Sequence, residues 1–553
     1  MKKTYLLCAC MAAAMTVNAQ APRKKVFNPV ESYQQFRQQV LDDYQEFRHT
    51  VLEHYADFLE GTWHEYEPLE PMRRDPMPKP VKVPSVKVDK PSPRPVTLPE
   101  PVLAVKPVLA VKPTLPGQSH IDPEQFGKPK AEIPPEAKRE IPSTLKVRPD
   151  VGSPILAEII PVALPKVPDG VEIEEPMEPD GPMEESFGDV DVINFYGMEI
   201  PVPKVEFQVK DRLDKVSDFA RHWKELDNQE VAQNLTEALK PVLERLGLSD
   251  YLAYEFLSAY MDTKYPSAAL SAKMSAVHYM LVNLGFNARL AVATKTGDPI
   301  IMMPCEQKLY GVTYLQLNGQ NFYILGNRFA NIAGSPLATC DLPKAADGGR
   351  KFDLRINGLN LPVKPRQFEI KYGDMQLTGT VNENLMPVVY RYPQMDTRDY
   401  AESSLDNALR EDLVRQVKEQ IDGKDELAST NKLLQFVQSG FEYATDDEFH
   451  GFEKPYFLEE NLFYPKNDCE DRAIFYTYLL WNALGLENQL LAFPGHESAS
   501  VALSDQNLSG TSYVYDGKRY YISDPTYIGS KTGMCMRSYE QSAPTIDLSY
   551  PTK

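Results

Sequence analysis

The 553-residue chain is long enough for two or three domains, each with its own core, and too long for one of ordinary size. A formal charge of −19 argues against nucleic acid and anionic membrane surfaces as partners. No stretch approaches the ~20 consecutive apolar residues of a bilayer span, so no membrane span is expected.

The opening residues 1–19, "MKKTYLLCACMAAAMTVNA", join Lys2 and Lys3 to a short apolar run and small residues. This pattern predicts a signal peptide and an exported protein, periplasmic or extracellular. Residues 20–66 hold an amphipathic helical segment: Phe36, Phe47 and Phe58 recur every eleven residues, with Val40 and Val51 in step. An eleven-residue period gives a nearly straight apolar stripe, which needs a partner surface. Self-association through this helix is one way to cover it.

Residues 67–190 read as an extended linker. Of the 47 prolines, 27 fall between Pro68 and Pro182, and proline removes donors and cannot continue a helix. Globular composition returns at residue 191. "INFYGMEIPVPKVEFQV" predicts strands and residues 211–260 predict helices. Residues 346–400 carry alternating apolar positions with turns at Asn357-Gly358 and Tyr372-Gly373-Asp374, which predicts a small β unit. Helices resume near Asp406, opening a last module over 401–553.

The modules at 191–345 and 401–553 share a pattern. "YPSAALSAKMSAVHYMLVNLGFNARLAV" from Tyr265 and "YPKNDCEDRAIFYTYLLWNALGLENQLLAF" from Tyr464 both run from Tyr-Pro through a helix to Leu-Gly and a strand. Downstream, "NGQNFYILGN" matches "DGKRYYISDP". A unit of this kind present twice is expected. Counting from the matched glycines, Cys469 corresponds to Ala269, His496 to Thr296 and Asp524 to Gly326. The first copy therefore lacks the three chemically capable side chains of the second.

A cysteine nucleophile needs thiolate character, a nearby base and oxyanion donors. With Asn467 or Asp468 as N-cap, Cys469 falls in the first turn of a helix ending near Leu484, where the helix dipole favours a thiolate. Glu470 and Asp471 oppose that charge. His496 follows Pro494-Gly495 at the start of a strand, a rigid and reachable place for a base. Asp524 closes the strand "RYYIS" and can take the second imidazole nitrogen.

"NDCEDRA", "PGHESASVAL" and "YYISDPTYIG" resemble the Cys, His and Asp motifs of the transglutaminase-like superfamily, over about residues 425–535 and weakly over 215–330. The resemblance implies an α+β papain-like core and the roles of nucleophile for Cys469, base for His496 and orienting partner for Asp524. It implies acyl transfer from a protein or peptide amide to water or an amine, without a cofactor. Tyr464 is a candidate oxyanion donor.

The rival reading is a non-catalytic binding or scaffold protein built on the same modules. No zinc spacing occurs. The acidic stretch "YATDDEFHGFE" lacks the glycine and ligand spacing of an EF-hand and reads as a solvated loop. Cys305, Cys340 and Cys535 complete an even set with Cys469, so disulfides are open, although Cys535 reads as a packed thiol.

Overall fold

The computed structural model describes residues 59–60, 63–74, 146–147, 190–295, 297–326, 335–340, 349–421 and 423–551. The leader, the eleven-residue stripe and most of the proline-rich stretch lie outside the described residues. The chain divides into two compact units, Met1–Tyr55 and Ala56–Lys553. Only the second contains described residues.

The architecture is α+β. In the first half it comprises β1 (Trp63–Tyr66), β2 (Lys146–Val147), β3 (Val190–Phe195), β4 (Met198–Pro203), α1 (Val216–Asp227), α2 (Glu230–Arg245), α3 (Asp250–Lys264) and α4 (Leu270–Asn283). Five strands follow: β5 (Arg289–Ala293), β6 (Pro299–Met303), β7 (Tyr314–Leu317), β8 (Gln320–Ile324) and β9 (Leu337–Cys340). The hairpin β10 (Pro365–Tyr372) and β11 (Met375–Asn382) leads to α5 (Leu385–Val389), α6 (Thr397–Ala401), α7 (Asn407–Ile421) and α8 (Glu426–Gly440). Then come β12 (Glu442–Tyr443), α9 (Asp446–Phe449), β13 (Lys466–Asn467), α10 (Cys469–Asn482), β14 (Asn488–Phe493), β15 (His496–Ala502), β16 (Ser512–Tyr515), β17 (Lys518–Ile522) and β18 (Thr545–Tyr550).

Two six-stranded sheets form the frame, in the orders β1-β9-β5-β6-β8-β7 and β16-β17-β15-β14-β18-β2. Read from opposite ends, the five later strands of each sheet follow one order: the last strand lies outside the first, and the final hairpin lies beyond the second. Both hairpins turn on a residue pair at positive φ, Asn318-Gly319 and Asp516-Gly517, as the right-handed twist of paired strands favours. Helices α4 and α10 lie against their sheets and are buried on almost every face. Apolar residues occupy most of their surface, and the buried charged ones, Lys273 on α4 and Glu470, Asp471 and Arg472 on α10, stand at or near their first turns.

The expected helix does not reach residue 66, since Trp63–Tyr66 is a strand paired antiparallel with β9. The expected linker is anchored at two places. Leu69 bridges Tyr314, the Gly311 N–H donates to the Met72 carbonyl, and β2 pairs parallel with β18. The β unit expected over 346–400 is the β10–β11 hairpin, while 350–359 makes only isolated bridges. On α7, Gln416 and Gln420 exchange side-chain amide hydrogen bonds with the backbone of Thr378 and Gln376. They satisfy the edge of β11 as a third strand would.

Gly247, just past α2, has φ +65, and a Cβ there would stand 2.1 Å from the Gly358 carbonyl oxygen. Gly285, just past α4, has φ +85 with nothing within 4 Å of the same position. Gly285→Ala should cost about 1–2 kcal/mol for the left-handed backbone alone. Gly247→Ala adds a backbone clash and should cost about 3 kcal/mol or more, read as the shift in denaturant midpoint.

Candidate active site

The sequence "NDCEDR" starts α10 with Asp468 as N-cap. Asp471 in the first turn accepts the Asp468 N–H through Oδ2 and the Tyr456 N–H through Oδ1. Cys469 therefore sits at the first helical position, directed by a helix start that its own neighbours fix. Arg472, fully buried, donates to Asn467 Oδ1 at 2.8 Å and to the Gln438 and Phe441 carbonyls at 3.2 and 3.0 Å. It ties α10 to the C-terminal end of α8, where a cation also meets the helix dipole.

The structure pairs His496 with Asp524 and bonds the Cys469 sulfur to the residue after His496. His496 opens β15, and its Nε2 lies 2.8 Å from Asp524 Oδ2. Asp524 Oδ1 accepts the N–H groups of Thr526 and Tyr527, so the carboxylate is held by a local turn on one side and points at the imidazole with the other. The Cys469 sulfur receives the backbone N–H of Glu497, the residue after His496. The thiol is thus bonded to the residue that follows His496 on β15. Tyr539 stacks on the His496 ring at 5.1 Å and 17°.

Gln438, buried on the otherwise apolar face of α8, donates to the Asp524 carbonyl and to Ser530 Oγ, and accepts from the Gly529 N–H. It fixes the loop that carries Asp524. A polar residue in the run "LLQFVQ" was the signal for it, and sequence reading passed over it. Tyr464, the sequence-based oxyanion candidate, packs with Tyr456, His450 and Phe449.

Cys469 is 1% exposed. Burial pushes its thiol up, Glu470 and Asp468 push the same way, and only the Glu497 N–H opposes them. The S–H donates to Glu470 Oε2 at 3.2 Å. Cys305 and Cys535 are also free thiols. Cys305 donates to the Met303 carbonyl, and Cys535 packs among Leu491, Phe493, Ile522 and Ile546.

Within the acidic stretch expected to be a solvated loop, Asp446 and Glu453 turn inward while Asp447 and Glu448 stay exposed. Asp446 is 4% exposed, and with Glu453 it faces the first turn of α10. Carboxylate oxygens of Asp446, Glu453 and Glu470 lie within 4.8 Å of one another, as do those of Asp446, Asp468 and Asp471. Asp468 Oδ1 and Glu470 Oε1 have no hydrogen-bond partner. Such an oxygen set can hold a hard cation. Without one, burial and mutual repulsion raise Asp446, Glu453, Asp468 and Asp471 above the usual carboxyl range.

Arg74, which sequence analysis left in the linker, is the cation set against this cluster. It lies 3.6 Å from Glu453 and donates to Thr397 Oγ1 at 2.6 Å. Burial disfavours its charge, but Glu470, Glu453 and Glu497 together outweigh that and hold it ionised. No protein-family model, curated protein or solved structure matches the chain.

A carboxyl raised in the folded state retains a proton that the unfolded chain releases near pH 4. Stability is therefore fully present below that pH and falls as pH rises, by about 1.4 kcal/mol per unit for each retained proton. Asp446→Asn should flatten the fall in melting temperature between pH 5 and pH 8, measured by thermal unfolding of both proteins. An unchanged slope would place the retained protons elsewhere.

Proposed function

We propose that the chain is an exported transglutaminase-like cysteine enzyme acting on amide or peptide carbonyls through a thioester. The proposal includes a papain-like core present in two copies, of which only the second bears the Cys-His-Asp set. One observation carries it: His496 is bonded to a backbone-anchored Asp524 while Cys469, at a helix start, takes the N–H of the next residue on the same strand. The common strand order of the two sheets and their matching hairpin turns support the two-copy reading.

With Asp524 as acceptor, the imidazole proton sits on Nε2 and leaves Nδ1 as the base. The thiol is protonated at rest, so the reaction begins when the S–H leaves Glu470 and passes its proton to Nδ1. The sulfur then attacks the carbonyl carbon, and the first-turn N–H groups of α10 face the oxyanion. His496 returns the proton to the departing amine as the C–N bond breaks. Water or a second amine, deprotonated by His496, then attacks the thioester and releases the thiol. Water is the simpler acceptor.

The depth of Cys469 and the acids around it favour a second reading, a binding or scaffold protein in which the set is structural. An amide-mimicking electrophile separates the two. Cys469 should be the labelled residue, and His496→Ala should slow labelling about a hundredfold or more, the usual contribution of a general base. Equal rates, or labelling chiefly at Cys305 or Cys535, would support the scaffold. Glu470→Gln removes the largest like-charge neighbour of the thiol and should label severalfold faster than the parent protein.

A further inference from the structure

The approach to His496 is a cleft of about 240 Å³ built by three distant parts of the chain. Gly495, His496 and Glu497 form one wall, Lys308 and Tyr310 of the first half another, and Arg73 and Arg74 a third. Cys469 does not line the cleft, but its sulfur takes the backbone N–H of Glu497, which does. The volume is below the roughly 300–1,000 Å³ of a pocket that encloses a drug-sized ligand, so it accepts the end of a chain, one residue or two.

Its charges are sorted by depth. The acids are buried or engaged: Glu497 accepts from Thr397 Oγ1 beneath Arg74, Asp396 accepts the Tyr310 hydroxyl at 2.7 Å, and Asp547 is 1% exposed. Arg74 is committed to the acid cluster. Arg73 and Lys308 are exposed, and neither forms an ion pair with any described residue. The Lys308 amine rests 4.7 Å from the centre of the Tyr310 ring, which places it along the wall of the cleft. In a chain of net charge −19, the solvent end of the path to His496 is cationic.

We infer that Arg73 and Lys308 select acyl donors bearing a carboxylate within a residue or two of the reacting carbonyl, such as the free C-terminal end of a peptide. This rests on Cys469 being the nucleophile. The first half of the chain, which lacks the three site residues, thereby supplies the wall that reads the substrate. The carboxylate is held at the rim by charge, and the amide beyond it enters toward His496. The bond changes are those already given: C–S forms, C–N breaks, and the proton moves from sulfur through Nδ1 to the amine.

The test uses the full chain and two chloroacetyl electrophiles that differ only in charge, N-chloroacetylglycine and N-chloroacetylglycinamide. Alkylation of Cys469 is followed by mass spectrometry at fixed pH and salt. The wild-type protein should favour the acid, and Arg73→Ala/Lys308→Ala should lower the acid-to-amide rate ratio about fivefold or more. Lys371→Ala, an exposed change on β10, should leave the ratio unmoved. A ratio that the double variant does not lower overturns the carboxylate selection and leaves the nucleophile standing. Failure of both reagents at Cys469 overturns the nucleophile and the selection together.

Discussion

An excess of buried negative charge at the start of α10 is the constraint from which the surrounding structure follows. Asp446, Glu453, Asp468, Glu470 and Asp471 converge around one first turn, and isolated ionised carboxylates are prohibitive in a protein interior. The neighbourhood answers with cations drawn from far along the chain. Arg74 comes from the N-terminal stretch, and Arg472 contributes its charge while spending its hydrogen bonds on carbonyls. Two more acids nearby, Glu459 and Glu460, are each matched by a buried cation, Arg410 at 2.6 Å and Lys454 at 2.5 Å. Of the five acids at the helix start, Glu453 has Arg74 at 3.6 Å while the others have no such partner among the described residues, and protons make up the difference.

That imbalance gives the thiol its character. A helix start by itself would favour a thiolate, yet here burial and the flanking acids win and the sulfur stays protonated against Glu470. Under the proposed function, a neutral thiol is a different device from a preformed ion pair, because the proton moves only when the base is aligned. The alignment is carried by uncharged groups: the Thr526 and Tyr527 N–H groups on Asp524, the Gln438 amide on the same loop, and the face of Tyr539 against the imidazole.

Much of this was legible in the sequence because it is local. "NDCEDR" encodes a helix start and "PGH" a turn into a strand, and the structure has both. Each depends on a few adjacent residues whose backbone preferences agree. What escaped reading depends on contacts far apart in sequence. "YATDDEFHGFE" looks solvated because its composition is polar, and composition does not reveal that Asp446 will receive a backbone N–H and face another helix. Arg73 and Arg74 sit in a stretch whose prolines argue for an extended chain. Extended it is, but laid along a sheet. Gln438 hid inside an apolar run for the same reason, since one polar residue on a buried face is visible only once the face is known to be buried.

The bond from Arg74 to Thr397 spans 323 residues of sequence, and it separates the boundaries of fold from the boundaries of chemistry. The last 150 or so residues contain the thiol, the imidazole and the carboxylate, and have a sheet and helices of their own. Excised, they would keep five of that sheet's six strands and lose β2, the guanidinium opposite their acids and two walls of the cleft. The smallest piece of this chain that keeps Cys469, His496 and Asp524 with Arg74 begins inside the proline-rich stretch. Evolutionary exchange of the C-terminal half as a cassette would therefore transplant the reagents without their setting.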